Sequence, residues 1–333
     1  MHIPDPVLNP PFNITRASHT VLRVRDLDAS RAFYTELCGL VVSDADSETL
    51  WLRGREENCH HSLVLKKGDR PVCERIGMRV QTGDDILKAK DHFDRIGVAA
   101  EIVDIPFQGP TLHFRDALGT PVELTASMPL MPRLFMSYDG YRGAAAQRAD
   151  HWQLQAQDVR AGLNFWTPLG FRTSEYTYSE DPDGVNLWGV WMQRKGNPHD
   201  LVYTNGPGPR LHHFAYCLRD ANDLVHACDV AGALGLGQRL ERGPGRHGIS
   251  GAMFVYFRDP DGHRIELFNT HYQHIDLEPP VGWSLDDPRR ADQWGLPAQK
   301  KWFMEATEFE GAAPQEPALK SELPTLERFL ERA

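Results

Sequence analysis

An internal repeat constrains this 333-residue chain more than any other feature of its sequence. The stretch FRDALGTPVELT at 114–125 matches FRDPDGHRIELF at 257–268 in its Phe-Arg-Asp start, its Gly-containing turn and its glutamate. A second pair, 18–40 and 150–171, shares a strand that begins with a His, an Asp at a helix start and an aromatic pair before a Gly. Such self-similarity indicates a tandem duplication of one supersecondary unit.

The repeat divides the chain into an N-terminal half at 13–127, a C-terminal half at 148–272 and an extension at 273–333. The segment between the halves is rich in Pro, Met and Gly, which is typical of a linker. Each half reads as a strand, a helix and about three strands, and then the same pattern again. We therefore predict an α+β fold of paired βαβββ units, whose strands curl into an open cup in each half.

Composition and charge exclude several classes of partner. The chain has 41% hydrophobic and 25% charged residues, which is typical of a globular protein with a sizeable core. Its net charge of −10 argues against a nucleic-acid partner, and no apolar run approaches the roughly 18 residues of a membrane span. The five cysteines show no CxxC spacing, which fits reduced thiols. With no secretory leader pattern at the start, we expect a cytoplasmic protein.

Two adjacent histidines stand in the segment RLHHFAYCL at 210–218, which otherwise reads as a buried strand. Side chains alternate between the two faces of a sheet, so His213 shares a face with Ala215 and Cys217. His212 lies on the bulkier, aromatic face. Small neighbours leave room for a bound group, so we take His213 as the candidate ligand, although a lone strand histidine is more often a core residue.

Two other strands offer partners for His213. The same alternation places His151 and Gln153 on one face of their strand, and Glu266 and Phe268 on one face of theirs. We therefore expect His151, His213 and Glu266 to converge in the cup. Two imidazoles and one carboxylate form the facial triad typical of non-haem Fe(II) sites. Zinc hydrolases use the same residue types, so the triad alone does not determine the metal.

The order His, His, Glu, with LHHFAY and DPDGHRIEL, resembles the extradiol ring-cleaving dioxygenases of the vicinal oxygen chelate fold. The most specific stretch is ERGPGRHGIS at 241–250, and the resemblance spans roughly residues 15 to 300. It implies that His151, His213 and Glu266 hold Fe(II), with Mn(II) as the alternative, and that O₂ opens the ring of a catechol. It also implies a substrate with an acidic side chain, such as 3,4-dihydroxyphenylacetate.

The resemblance assigns further residues around the substrate. His199 takes the place of the acid/base histidine, and an imidazole can accept and return a catechol proton near neutral pH. His247 and Tyr256 match the remaining hydrogen-bonding residues near the metal. The residues that the resemblance places beside the substrate are Trp191, Arg242, Gln153, Phe268, Arg289 and Arg290.

Two of these positions depart from the family pattern. Gln153 stands where the family has an Asn, and Phe268 stands where it has an aromatic residue with a hydroxyl group. These two positions therefore leave the identity of the substrate's ring substituent open. Arg242 and one or both of Arg289 and Arg290 offer planar guanidinium groups that suit a carboxylate.

Two other functions remain open at this point. One is a metal-dependent isomerase or transferase of the glyoxalase kind, which needs no O₂. The other is a metal-free binding protein of the bleomycin-sequestering kind. The metal triad argues against the binding protein, and the set of His199, His247 and Tyr256 argues against both. We also expect a homo-oligomer, a tetramer by the resemblance, with part of the extension covering the active site or a neighbouring subunit.

The N-terminal half should hold no metal. His19 and Glu123 occupy the places of the first and last ligands, but Gly77 stands at the place of the second. Chelation needs all three ligands to converge. We expect the remaining histidines of interest, His60, His61, His271 and His274, at the surface.

Overall fold

The computed structural model describes residues 2–182, 184–320 and 323–332. The regular elements of the N-terminal half are β1 (Ile14–Val24), α1 (Leu27–Ala32), β2 (Val41–Ala45), β3 (Thr49–Arg53), β4 (Leu63–Lys67), β5 (Val72–Val80), α2 (Gly83–Ile96), β6 (Ala100–Ile105), β7 (Gly109–Arg115) and β8 (Pro121–Thr125). These strands form one sheet in the order β2-β3-β4-β1-β5-β8-β7-β6.

The C-terminal half repeats this order of elements. It contains β9 (Arg148–Ala156), α3 (Val159–Trp166), β10 (Arg172–Asp181), β11 (Gly184–Gln193), β12 (Leu201–Asn205), β13 (Arg210–Cys217), α4 (Ala221–Ala233), β14 (Leu240–Arg246), β15 (Met253–Arg258) and β16 (Arg264–Asn269). The extension adds β17 (Val281–Ser284), α5 (Lys300–Met304), β18 (Thr307–Glu308) and α6 (Leu326–Arg332). Short π or 3₁₀ turns lie at Phe33–Leu37, Tyr138–Gly140, Thr167–Leu169, Gly237–Arg239 and Pro288–Arg290.

Sheet topology confirms the predicted fold of paired βαβββ units. The second sheet runs in the order β14-β15-β16-β13-β9-β12-β11-β10-β17. Strands β9 to β16 correspond to β1 to β8, and they follow one another in the same order as in the first sheet. The two units of each half meet at their first strands, β1 against β5 and β9 against β13, both antiparallel. This pairing brings the first strand and the last strand of each unit to the middle of the sheet, where the cup is deepest.

Local signals in the sequence explain why these elements form where they do. The Asp at the helix start of each repeat caps its helix, as predicted. Asp26 accepts from the amides of Asp28 and Ala29, and Asp158 accepts from the amide of Ala161. Such caps satisfy amide groups that the first helical turn leaves without partners.

The two halves share one apolar core, and buried hydrogen bonds join them. The indole Nε1 of Trp152 donates to Oγ1 of Thr20 at 2.8 Å. The amide of Ala17 donates to Oδ1 of Asp200 at 2.7 Å, in a buried setting. Because broken polar contacts of this kind cost free energy in the interior, the halves are fixed in one arrangement.

The extension packs against the C-terminal half through two short strand pairings. β17 runs parallel to β10, and β18 runs antiparallel to β13. Trp302, in α5, is 6% exposed. Its ring meets that of His212 edge to face, with 4.5 Å between the ring centroids. The helices of the described residues are too short or too polar to span a membrane.

The cup of the N-terminal half is filled by its own side chains. Nε2 of His19 lies 2.5 Å from Oε1 of Glu123, which also accepts from the side chain of Gln108 at 2.9 Å. Oε2 of Glu123 lies 3.1 Å from Nε2 of His113. Protein groups therefore satisfy this carboxylate from both sides. Within the described residues, the His, Cys, Asp and Glu groups close enough to share a metal lie in the other half.

The surface placement expected for His60 and His61 is wrong. They are 4% and 0% exposed, because the loop between β3 and β4 folds into the filled cup. His61 contacts the side chain of Gln108 at 2.9 Å, and the ring of His60 stacks on Phe107 at 3.8 Å. The absence of a metal from this half stays a prediction, and the packing gives a physical reason for it.

Replacing Gly77 with Ala tests the packing of the filled cup. The new Cβ would lie 2.1 Å from Cε1 of the fully buried His19 ring, so the ring must move away from Glu123. We expect the free energy of unfolding to fall by about 1–3 kcal/mol, measured as a lower midpoint of thermal unfolding. Gly83→Ala is the control, because a Cβ there meets nothing within 4 Å. Equal midpoints for the two variants would contradict the described packing.

Candidate active site

His151, His213 and Glu266 meet in the cup of the C-terminal half. Oε2 of Glu266 lies 3.0 Å from Nε2 of His151 and 3.2 Å from Nε2 of His213. The three residues come from the neighbouring strands β9, β13 and β16, and each is at most 4% exposed. Strand pairing explains the convergence, since Ala215 is the register partner of both His151 and Glu266. The structure thus brings together the triad expected from strand alternation.

A second carboxylate orients the His151 ring from behind. Nδ1 of His151 lies 2.9 Å from Oδ2 of Asp150, whose two oxygens also accept from Asn197 at 2.9 Å. Burial alone raises the pKa of Asp150, but the Lys195 ammonium and the hydrogen bond from His151 bring that pKa well below its usual value. An ionised carboxylate at Nδ1 directs the Nε2 of His151 into the cup, as partners of metal-binding histidines do.

The adjacent histidine orients His213 in the same way. Nε2 of His212 lies 3.0 Å from the backbone carbonyl of Trp302, which can only accept, so this nitrogen carries the proton. Burial lowers the pKa of His212 well below its usual value, so its Nδ1 is an acceptor. Nδ1 of His213, 2.8 Å away, therefore donates to it. Burial also lowers the pKa of His213 to about 4, and its Nε2 lone pair faces Glu266.

The role of His212 was missed in the sequence. Strict alternation placed His212 among packing residues, but its ring meets that of His213. The pairing of β13 with β9 is irregular at this point, between Leu211 and His213. The partner of His212 lies 90 positions away in the extension. No signal in the sequence connects these two segments.

The charges of the cluster call for a cation. Burial raises the pKa of Glu266, but its hydrogen bond with His151 and its contacts with the other imidazoles outweigh burial and hold that pKa well below its usual value. Burial lowers the pKa of His151, but the contacts of this ring with Asp150 and Glu266 outweigh burial, so the pKa of His151 lies above its usual value. Two ionised carboxylates thus stand on either side of one imidazole. Two imidazole nitrogens and a carboxylate, with ligand atoms within 4.8 Å of one another, fit a divalent metal of the iron or manganese type.

His199 lies beside the metal cluster in the loop between β11 and β12. It is 4% exposed, and its ring centroid lies 4.1 Å from that of His151. Its Nδ1 is buried without a hydrogen-bond partner. Burial lowers the pKa of His199 well below its usual value, so the ring is neutral and one of its nitrogens carries a free lone pair.

His247 and Tyr256 form a hydrogen-bonded pair on the other side of Glu266. Nε2 of His247 lies 2.9 Å from the Tyr256 hydroxyl and 3.8 Å from Oε1 of Glu266. Nδ1 of His247 donates to the carbonyl of Ala291 at 2.7 Å, which leaves Nε2 to accept from Tyr256. Burial raises the pKa of Tyr256 well above its usual value, so the hydroxyl keeps its proton.

Strand register places Arg242 on the cup face. Arg242 pairs with Tyr256 across β14 and β15, and Tyr256 pairs with Glu266 across β15 and β16. Residues in register on neighbouring strands point to the same face of a sheet. The guanidinium of Arg242 also lies 6.0 Å from the Tyr256 ring.

A second transverse row carries Trp191 and Gln153. His213 pairs with Gln153, Gln153 with Val202 and Val202 with Trp191 across β13, β9, β12 and β11. Trp191 is 9% exposed and packs with Val202 and Ile249 into a small apolar cluster. By register, this apolar cluster lies on the strands next to those of the histidines, and apolar surface of this kind suits an aromatic ring.

His271 was missed, and the surface placement expected for His271 and His274 is wrong. Their side chains are 5% and 6% exposed. The His271 ring stacks on Phe268 at 4.3 Å and lies 4.9 Å from His199. It follows the end of β16, where strand alternation no longer predicts direction. A cavity of about 550 Å³ opens beside Phe268 and His271 and reaches Asp150.

The arginines of the extension occupy different environments. The Arg289 side chain is 69% exposed and pairs with Asp287, so its guanidinium faces solvent rather than the cup. Arg290 is partly buried, and its Nη1 donates to the Asp287 carbonyl at 3.0 Å. Arg242 has a carboxylate partner within the chain, Asp292, at 2.5 Å.

Comparisons with known proteins agree with this geometry. Residues 16–124 and 148–267 match the model of the Glyoxalase/Bleomycin resistance protein/Dioxygenase superfamily. The chain is 29% identical to a manganese-dependent 2,3-dihydroxybiphenyl 1,2-dioxygenase of Geobacillus genomosp. 3, over 86% of this chain and 95% of that protein. It is 27% identical to a metapyrocatechase of Pseudomonas sp. (strain CF600), over 84% of this chain and 93% of that protein.

A solved structure extends the likeness to nearly the whole chain. The anaerobic complex of homoprotocatechuate 2,3-dioxygenase from Brevibacterium fuscum with 3,4-dihydroxyphenylacetate superposes with a TM-score of 0.86. The two sequences are 37% identical, and the match covers 95% of this chain and 99% of that one. This chain therefore belongs to the Glyoxalase/Bleomycin resistance protein/Dioxygenase superfamily and, within it, to the metal-dependent extradiol ring-cleaving dioxygenases.

Proposed function

We propose that this protein opens the aromatic ring of a catechol by extradiol cleavage, with O₂ as the second substrate. Fe(II) is the proposed metal, held by His151, His213 and Glu266, with Mn(II) as the alternative. The observation that carries the proposal is the buried triad itself, with both imidazoles oriented from behind and an ionised carboxylate between them. When bound, the metal supplies open coordination positions at which a catechol and O₂ are brought together for electron transfer.

The reaction balances without a further reductant. The carbon–carbon bond next to the two hydroxyl groups breaks, both atoms of O₂ enter the product, and the substrate provides the electrons that O₂ takes up. The chain therefore needs to bind, orient and exchange protons with the substrate. Its buried cup does so away from bulk water, which strengthens each electrostatic contact.

We assign proton transfer to His199. Its buried, unpartnered Nδ1 and its neutral ring suit the removal of a proton from a catechol hydroxyl and its later return. Tyr256 and His247 supply a second set of hydrogen bonds. The hydroxyl proton that His247 accepts at Nε2 can turn toward an oxygen atom of the substrate.

The substrate proposed first is a catechol with an acidic side chain, such as 3,4-dihydroxyphenylacetate. Arg242 faces the cup and suits a carboxylate, and Trp191 and Gln153 lie in the row that crosses His213. Phe268 stands 5.4 Å from the His151 ring, where it limits the space beside the metal. Arg290 remains the candidate from the extension, since Arg289 faces solvent.

Isomerase or transferase chemistry of the glyoxalase kind is the second candidate, because the superfamily includes it. It would need neither O₂ nor the proton-transfer set around His199. The likeness to named dioxygenases along most of the chain favours ring cleavage.

We further propose a cytoplasmic homo-oligomer, with a tetramer as the form that family resemblance implies. All five cysteines are free thiols, which suits a reducing compartment. Apolar side chains of the linker between the halves are exposed, Leu130 at 81% and Met136 at 68%. A contact between subunits at the linker would cover these side chains.

An oxygen-uptake experiment tests the reaction. Protein purified without air should contain about one metal ion per chain, because one buried triad is complete. With 3,4-dihydroxyphenylacetate and then air, we expect a yellow ring-opened product and one O₂ consumed per catechol. Turnover of a catechol without O₂ uptake would contradict ring cleavage, and about two metal ions per chain would contradict the filled N-terminal cup.

His199→Phe and His213→Ala separate proton transfer from metal binding. We expect His199→Phe to keep its metal and to lower kcat by about 10²–10⁴-fold, the range typical of a lost general base. His213→Ala should lose most of its metal, since one of three ligands is gone. Metal content by elemental analysis and kcat under saturating O₂ distinguish the two. A His199→Phe protein that loses its metal, or turns over normally, would show that the assignment is wrong.

His212→Phe tests the orientation of the ligand His213 from behind. Phe keeps the ring but removes the Nδ1 acceptor, so the Nδ1 proton of His213 loses its partner. We expect metal affinity to fall by about 10–100-fold, as when other partners of metal-binding histidines are removed. His60→Phe is the matched control, because His60 and His61 form the same Nδ1 pair, at 3.1 Å, in the filled cup. An equal effect of both variants on metal affinity would refute the role of His212.

A further inference from the structure

Arg242 is buried on the cup face with its donors only partly used. Its side chain is 7% exposed, and its guanidinium lies 4.7 Å from the Trp302 ring and 4.8 Å from the Phe254 ring. The rings leave only the edge of the guanidinium for ionic partners. Its Nε is buried without a hydrogen-bond partner.

Asp292 occupies part of that edge. Its Oδ1 accepts from Nη2 of Arg242 at 2.5 Å, and its side chain is 14% exposed. A guanidinium can bind a carboxylate through two parallel hydrogen bonds, but here one nitrogen is paired and the adjacent Nε is not. A ligand carboxylate that binds the same edge must therefore displace Asp292 or share Nη2 with it.

We propose that Asp292 is a specificity-determining residue that weakens the binding of acidic catechols relative to neutral ones. Two carboxylates at one guanidinium repel each other, and the buried setting screens that repulsion poorly. A neutral ring substituent leaves the pair of Arg242 and Asp292 intact. The proposal rests on the proposed function for the nature of the ligand, a catechol in the cup.

A second aspartate of the extension, Asp287, also pairs with an arginine, but outside the cup. Asp287 binds Arg289 through both of its oxygens, but the Arg289 side chain is 69% exposed. That pair lies outside the cup, so a change in its charge should not affect a bound catechol. Asp287→Asn is therefore a control matched in chemistry, segment and charge change.

The test is equilibrium binding without O₂, by calorimetry, to the metal-loaded protein. The ligands are 3,4-dihydroxyphenylacetate and its amide, which has nearly the same shape and no charge. In Asp292→Asn, we expect the affinity for the acid relative to the amide to rise by about tenfold or more over wild type. Asp287→Asn should leave this ratio unchanged, and Asp292→Glu, which keeps the charge, should keep it near the wild-type value.

An unchanged ratio in Asp292→Asn, or an equal gain for both ligands, would overturn the proposal. If Asp292→Asn does not fold, as judged by circular dichroism and metal content, Asp292→Ser provides the same comparison. Air is then admitted to the same mixtures. Wild type that binds both ligands and cleaves neither would refute the proposed function, while the binding ratio would still decide the role of Asp292. Failure of every variant to bind either ligand would refute both.

Discussion

The structure of the site depends on an ionised carboxylate, Glu266, that lies 2% exposed in the protein interior. A buried charge is stable only when opposite charges or hydrogen-bond donors surround it. Glu266 has two imidazoles within 3.2 Å and a third at 3.8 Å. Asp150, on the far side of His151, adds a second buried negative charge. The Lys195 ammonium and the raised pKa of His151 offset part of this negative charge. What remains is a donor set of two imidazoles and one carboxylate that suits a divalent metal.

The N-terminal half meets the same requirement without a metal. Glu123 is the counterpart of Glu266 and is 3% exposed, but its oxygens accept from His19, His113 and Gln108. The expected match of Gly77 to His213 is wrong, because Gly77 pairs with His19 and Glu123 as Ala215 pairs with His151 and Glu266. By the same register, Arg75 takes the place of the second histidine ligand. The missing side chain of Gly77 gives the His19 ring its place. The duplicated scaffold thus provides two solutions for one buried carboxylate. One solution supplies enough protein donors, and the other leaves positions for a metal and a substrate.

Short-range patterns made the fold and the triad predictable. Alternation along β9, β13 and β16 put His151, His213 and Glu266 on the face of the cup, and the repeat predicted the paired units that bring these strands together. Aspartate caps marked the helix starts. The alternation and the caps lie within a few residues of the features that they predict.

The features that were missed depend on contacts between distant segments. His212 is oriented by the carbonyl of Trp302, and Arg242 is paired with Asp292, 50 positions away. Both partners lie in the extension, which has no counterpart in the repeat to compare. His271 follows the last strand, where alternation ends. The cup could therefore be predicted from the sequence, but the individual contacts that the extension makes with it could not.

Trp302 connects the two functions of the cup. Its carbonyl accepts from His212, which orients the metal ligand His213, and its ring lies 4.7 Å from the Arg242 guanidinium. The backbone of one residue thus supports His213, the proposed metal ligand, while its side chain supports Arg242, the arginine proposed to lie beside the substrate. A shift of α5 would alter both at once, because the carbonyl and the ring move together. A substitution that moves α5 to alter the contacts of Arg242 would therefore also alter the orientation of His213.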